Sequence, residues 1–345
     1  MRMLRRTLAR LFSSDLAIDL GTTNTLVYVR GLGVVLNEPS FVALDPTDGS
    51  VLAAGQEAKA MLGRAPGSIQ VLRPLRHGVI ADFDGTEKML KHFIARAHAG
   101  RSLLYPRIVF SVPSGITQVE ARAVQATGRQ TGAREVYLVQ QALAAAIGAG
   151  LPIQEPGANM VVNLGGGTME VAVLSLADIV YCKCLRIAGD EMNETIIQHM
   201  KKGYNLLIGE WLAEEIKIRL GSATPRDTDG QPMEVRGRSL IDGLPKRIAI
   251  ADGEIREALR DPVSAIVDGV RACLESTPPE LAADLIDRGI TLTGGGAQLP
   301  GLDLLLHEET GLAVRVGADP LTCVVRGAGR VLEELDLLAR VALPA

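Results

Sequence analysis

Two stretches of this chain carry the residue types that hold phosphate: residues 16–29, LAIDLGTTNTLVYV, and residues 160–173, MVVNLGGGTMEVAV. In each, an apolar strand runs into glycine and threonine, and an alternating strand leaves again. Glycine lets backbone N–H groups turn toward an anion with no side chain in the way. Asp19 ends the first apolar run and Asn163 the second, and Leu-Gly follows each of them. Nucleotide phosphates bring Mg²⁺, which favours a carboxylate in its shell. Asp19 offers one, whereas Asn163 offers only a neutral amide. The spacing therefore points to a grip on a polyphosphate and leaves its hydrolysis an open question.

Such a grip needs strands that deliver both turns to one place. One glycine hairpin is a weak signal. Two at equivalent places, in halves of similar size, suggest a duplicated domain with one ligand held between the copies. A third turn, at Gly294, Gly295, Gly296 and Ala297, follows a strand and precedes a helix that starts near Leu302. That form brings backbone close to a ligand at a helix start. It is neither a Walker A loop, since no Gly-Lys-Ser/Thr follows, nor a G-x-G-x-x-G fingerprint. Residues 208–223 read as a helix, with Glu214 and Lys217 three apart on one face. A surface ion pair is the plain reading of those two; a carboxylate and an ammonium offered to a ribose or base edge is the sharper one.

The 345 residues leave room for two domains, and 47% are hydrophobic, yet no apolar run approaches the roughly 18 residues that span a bilayer. A net charge of −4, a sequence pI near 5.8 and 3% aromatics argue against nucleic-acid binding. Cys182, Cys184, Cys273 and Cys323 have no metal-finger spacing, and no cleavable signal precedes them. They read as buried free thiols in a reducing cytoplasm. The first twelve residues, MRMLRRTLARLF, place Met1, Leu4, Leu8, Leu11 and Phe12 on one helical face, flanked by four arginines. That is the pattern of a basic amphipathic helix lying on a membrane surface.

Together these features resemble the MreB family of bacterial actin-like cell-shape proteins. The resemblance is carried further by VVLNEPSFVAL, SVPSGIT, GAREVYLV, AAAIGAGLP, RIAGDEMNE, YNLLIGE and DPLTCVVRGAG, and runs to about Glu334. It implies an α/β, actin-like fold of two domains, each built on an RNase-H-like sheet, with ATP and Mg²⁺ in the cleft between them. The implied division is a membrane helix at 1–12, domain I at 13–145 and 325–345, and domain II at 146–324. By the same resemblance Asp19, Gly21, Thr22, Thr23 and Asn24 form the first phosphate loop, with Asp19 holding Mg²⁺ through water. Gly165, Gly166, Gly167 and Thr168 form the second. Glu214, Glu215, Ile216 and Lys217, with Gly294 to Ala297, meet the adenosine. Implied partners are further copies in antiparallel double protofilaments, inner-membrane lipids, and RodZ/MreC/MreD-type elongation machinery. The implied location is the cytoplasmic face of the inner membrane, where Leu103 and Leu104 offer a second contact.

The chain departs from that family at the chemical centre. Where relatives read Glu-Glu-Pro, it has Gln140-Gln141-Ala142, and where they have Asp it has Asn163. The resemblance assigns Gln141 to the attacking water and Asn163 to the ion's water shell. Gln118 and Asn193 also replace acids, outside the catalytic positions. An amide orients water but takes no proton, so the catalytic set Gln141, Asp19 and Asn163 implies binding with slow ATP hydrolysis at most. The alternative is a non-hydrolysing structural paralogue that co-assembles with another family member. A small-molecule kinase would need an acid where Gln141 stands. Deleting residues 1–12 should release the protein from anionic vesicles without preventing assembly, and Arg5→Glu with Arg6→Glu should act similarly. Co-sedimentation checks this; full pelleting of the truncated chain would remove the anchor assignment.

Overall fold

The computed structural model describes residues 15–98, 106–226 and 232–343. Leu4, Leu8, Leu11, Phe12, Leu103 and Leu104 lie outside them. Among the described residues no helix is long and apolar enough to cross a membrane.

Two five-stranded sheets dominate, and they repeat one plan. The first runs in the order Glu135–Gln140, Arg107–Val112, Leu16–Leu20, Asn24–Val29, Gly33–Pro39. The second, read from its other edge, runs Val314–Val316, Ile290–Thr293, Asn159–Leu164, Met169–Ser175, Asp178–Leu185. In both, the central strand makes an antiparallel hairpin with the strand after its glycine turn. On its other side it pairs in parallel with a strand from far along the chain. Asp19 thus lies beside Ser111, and Asn163 lies beside Thr293. LAIDL and NMVVNL are apolar except at Asp19, Asn159 and Asn163 because both strands are central and buried throughout.

Strand alternation assigns each face to a different core. Ile18 and Phe110 point to a cluster shared with the helices Phe83–His98 and Gln118–Gln130. The second of these helices starts at a capping box formed by Thr117 and Glu120. Val162 and Val171 point to another core beneath the helices Gly189–Tyr204, Glu210–Leu220 and Arg260–Glu275. Ala17, Val161 and Ala172 face a third cluster between the sheets, filled by the helices Gln141–Gly148 and Cys323–Glu333.

That central helix pair crosses at backbone contact. A Cβ on Gly148 would run into the carbonyl of Cys323, and one on Gly327 into that of Ala144. The alanine-rich sequence QALAAAIG suits such an approach, since larger side chains would hold the axes apart. Smaller sheets flank the cleft. Val51–Ala54, Val42–Leu44 and Gln70–Leu72 form one, and Leu206–Leu207, Met233–Ser239 and Pro245–Ile250 the other. The four cysteines are unpaired, as expected. Cys273 and Cys323 are buried, but Cys182 is half-buried and Cys184 exposed, because both lie on the edge strand Asp178–Leu185.

Candidate nucleotide-binding cleft

The two glycine turns meet across a cleft of about 510 Å³, within the roughly 300–1,000 Å³ that small-molecule sites occupy. Asp19 to Asn24 line one side; Asn163 and Gly165 to Thr168 line the other. The third turn contributes Gly294, Gly295 and Gly296, and the helix Glu210–Leu220 contributes Glu214 and Lys217. The loops touch. A Cβ on Gly166 would collide with the Thr23 side chain, and one on Gly167 with Thr22 Oγ1 and the backbone of His77. Gly294 holds φ 81°, a conformation glycine adopts freely, against the carbonyl of Leu164. Gly295 is less constrained, since its added Cβ would meet only Leu321 Cδ1 at 3.4 Å.

Three of the expected residues are not in the lining. Glu215 pairs with Arg219 at 3.1 Å on the outside of its helix, while Ile216 and Ala297 sit in the second sheet's core. Conversely, Asn193, expected only to replace an acid outside the catalytic positions, is in the lining. It is 5% exposed, and its Oδ1 has no hydrogen-bond partner among the described residues. The signal was available: Met192, Ile196 and Met200 mark the buried face of that helix, and Asn193 is a polar residue beside it. Gln118 is exposed, at the start of its own helix.

The floor of the cleft is sparsely charged. Asp19 is buried, accepting from Ser111 Oγ at 2.5 Å and from Gln141 Nε2 at 3.2 Å. A carboxylate only accepts, so the Gln141 amide nitrogen must face it, which leaves Oε1 as the free acceptor. Burial pushes Asp19 up to about 6, against the two hydrogen bonds. Asn163 Oδ1 accepts from Thr293 Oγ1 at 3.2 Å. Lys217 Nζ donates to the Gly189 carbonyl at 2.9 Å, and burial lowers its pKa. Glu170 is fully buried behind the second loop, and burial pushes it up to about 7.

Charge is concentrated at the rim, where side chains from the two halves join. Arg73 donates to both carboxylate oxygens of Asp190, at 2.8 and 2.7 Å, and to Glu210 Oε1 at 2.5 Å. It also donates to the Thr22 carbonyl at 3.2 Å and Thr23 Oγ1 at 3.3 Å. Lys59 Nζ meets Glu214 Oε2 at 2.5 Å, so the carboxylate expected at a ribose is engaged by the opposite lobe. Arg64 lies over the Trp211 ring at 5.3 Å. Glu210, Trp211 and Glu214 are neighbours at one end of a single helix, which explains how one element gathers all three contacts.

Two sheets of one plan, joined by a central helix pair and sharing a two-loop cleft, define an actin-like protein. The comparisons narrow this class. The family model described as MreB/Mbl protein matches residues 13–340. The cell shape-determining protein MreB of Escherichia coli K12 is 52% identical over 332 residues, covering 95% of each chain. The cell shape-determining protein Mbl of Bacillus subtilis 168 is 47% identical over 330 residues, covering 96% of this chain and 99% of Mbl. The crystal structure of MreB5 of Spiroplasma citri bound to ADP superposes with a TM-score of 0.88 at 35% identity, covering 94% of this chain and 97% of that one. The MamK double helical filament shares the fold, with a TM-score of 0.78 at 20% identity and coverage of 93% and 99%. The chain belongs to the MreB/Mbl family.

A carboxyl with a higher pKa folded than unfolded stabilises the protein fully below its unfolded value, and that contribution is lost as pH rises through the folded one. Asp19 and Glu170 both behave so. The thermal midpoint of nucleotide-free protein should therefore fall between about pH 4 and about pH 7, and Glu170→Gln should flatten much of the fall. Asp15, held low by Arg107, acts oppositely, so its contribution is lost only at more acid pH. Scanning calorimetry on both proteins checks this. Parallel pH profiles would contradict it.

Proposed function

We propose that this protein binds ATP with Mg²⁺ in the cleft, assembles with further copies into paired filaments at the inner face of the cytoplasmic membrane, and guides cell-wall synthesis to set cell shape, turning over ATP slowly. The observation that carries the proposal is the meeting of the two glycine turns, Gly166 and Gly167 against Thr23 and Thr22, over a buried carboxylate. The related MreB5 of Spiroplasma citri, which has ADP bound in its crystal structure, supports a nucleotide as the ligand. Membrane attachment rests on the amphipathic segment 1–12, and the elongation machinery of RodZ/MreC/MreD type on family membership. The domains divide as 13–145 with 325–345, and 146–324. Both divisions fall within the central helices, Gln141–Gly148 and Cys323–Glu333, which makes that pair the hinge.

The residues present fit the ligand. Among the described residues no three His, Cys, Asp or Glu side chains converge on a metal. Mg²⁺ commonly rests on one or two carboxylates plus phosphate, and Asp19 suits that mode. The raised pKa of Asp19 has the same meaning, since no cationic side chain among the described residues offsets its charge. Bound Mg²⁺·ATP supplies the phosphoanhydride and neutralises its oxygens; the rest falls to the chain. The amides of Gly166 and Gly167 and the hydroxyls of Thr22, Thr23 and Thr168 cradle the phosphates, while the Gly165 N–H closes the turn on the Thr168 carbonyl. Lys217, Glu214 and the turn from Gly294 to Gly296 border the nucleoside, and Asn193 Oδ1 is free to accept from it. Arg73 and Lys59 close the rim over the bound ligand.

At the reacting end, Gln141 Oε1 accepts from a water and orients it, but takes no proton from it. Asn163 offers a dipole where a carboxylate would attract the ion. A positioned base contributes roughly 10²–10⁴-fold, so its absence slows the chemical step without abolishing it, as a glutamine suffices in small GTPases. The same amides favour the second reading, a non-hydrolysing paralogue that uses bound ATP only to close and co-assemble. Single-turnover cleavage across the cycle of Gln141→Glu and Asn163→Asp, at saturating Mg²⁺, separates the two. Gln141→Glu should speed cleavage by about 10²-fold, Asn163→Asp should strengthen the Mg²⁺ dependence, and their effects should couple rather than add. A parent as fast as the double variant would show that another group acts as base. A parent with no cleavage in polymer that both changes restore would favour the paralogue.

A further inference from the structure

The mechanism above leaves unused a fully buried carboxylate one strand away from the reacting end. Glu170 is the second residue of the strand Met169–Ser175 and lies directly opposite Asn163 in the hairpin, on the face that carries Ala172 and Leu174. That face looks toward the helix Gln141–Gly148, so a side chain of one half reaches backbone of the other. Glu170 Oε1 accepts from the backbone N–H of Ser114, in the turn after the strand Arg107–Val112, at 2.5 Å. The helix Gln141–Gly148 packs on this face, with Ala142 in one cluster with Ala172 and Leu174, and the backbone N–H of Ala142, next to Gln141, favours the carboxylate's charge. Even so, Glu170 Oε2 has no hydrogen-bond partner among the described residues, and neither has Ser114 Oγ.

Buried lone pairs without partners cost roughly 1–3 kcal/mol each, so a group kept in that state needs a reason. The other titratable groups facing it are Asp19, Cys182 and Cys184, none of them cationic. Among the described residues no ion pair accounts for Glu170. The amides do. Ala142 N–H belongs to the first turn of its helix, where no intrahelical carbonyl is available and negative charge is favourable.

We propose that Glu170 is a positioning residue that fixes Gln141 by holding the first turn of its helix and ties the second phosphate loop to the opposite half through Ser114. The inference rests on the proposed ATP cleavage and deepens it: the loop that grips phosphate and the amide that orients water share one buried carboxylate. Movement of the second loop around phosphate is then passed to Gln141 through two backbone N–H groups. Glutamine at 170 keeps the shape and one acceptor, but turns an NH₂ donor toward a region that offers donors.

The test is a double-mutant cycle on the full chain, Glu170→Gln against Gln141→Ala, read by single-turnover ATP cleavage and by displacement of a fluorescent ATP analogue. Glu170→Gln should slow cleavage about tenfold with affinity changed less than about twofold, and in the Gln141→Ala background it should slow it less than about twofold. An equal loss in both backgrounds, or none in either, overturns the proposal, since a merely structural role acts alike in both. Hydrogen exchange supplies a readout independent of turnover. Protection of the amides at 141–143 should fall in Glu170→Gln while that at 290–293 holds; unchanged protection at 141–143 overturns the proposal even where cleavage is undetectable. A parent that binds no ATP overturns the functional reading instead, and the exchange result still decides the role of Glu170.

Discussion

The close crossing of the central helices is the constraint on which the remaining structure depends. With Gly148 against the Cys323 carbonyl and Gly327 against the Ala144 carbonyl, the two sheets are held at the distance of one thin helical layer. Only at that separation can two turns on different sheets touch. The crossing also explains why the buried layer between the sheets is rich in alanine and lacks phenylalanine and methionine among the described residues, while the outer layers include Phe93, Phe110, Met192 and Met200. A larger residue at either glycine would widen the gap, and the loops would lose each other before either sheet lost its own core.

Above that layer, the cleft separates charge from the site of reaction. The rim is rich in ion pairs between the lobes, each partly exposed and so modest alone, but several lie on one helix and act together. The floor holds the Asp19 carboxylate and the amides of Gln141 and Asn163, with Glu170 buried behind it. A third or fourth carboxylate at positions 141 and 163 would stand close to Asp19 and opposite Glu170, and without a cation like charges so placed repel. The amides at 141 and 163 thus relieve the nucleotide-free floor of charge and weaken the chemistry the cleft can perform. Stability without ligand and speed with it pull in opposite directions here.

Much of this was legible in the sequence. Strand, glycine turn and alternating strand are local patterns, so both loops and their duplication could be read from residues 16–29 and 160–173. The third turn and the helix after it were equally local. What escaped the sequence depended on contacts far apart in the chain. Glu214 reads as a free polar face until Lys59 is brought across the cleft to it, 155 positions away in sequence. Arg73 carries no motif, Asp190 lies in RIAGDEMNE with nothing local to name its partner, and Glu170 reads as a strand residue until Ser114 arrives from the other half. Ile216 and Ala297 were expected at the ligand because they sit within motifs, but helix geometry turns Ile216 inward and the 3₁₀ turn Gly295–Gln298 buries Ala297. Cys184 was expected to be buried, a matter that strand alternation leaves undecided on an edge strand.

The central claim is that two duplicated turns close on one nucleotide, and Gly166 tests it most directly because any side chain there meets Thr23 on the opposing turn. The measurement is ATP affinity by titration calorimetry, with Mg²⁺, for the parent and for Gly166→Val of matched secondary structure. The account predicts tight binding by the parent and a loss of at least about 100-fold in the variant, as the turns are forced apart. Equal affinity in the two proteins would contradict it.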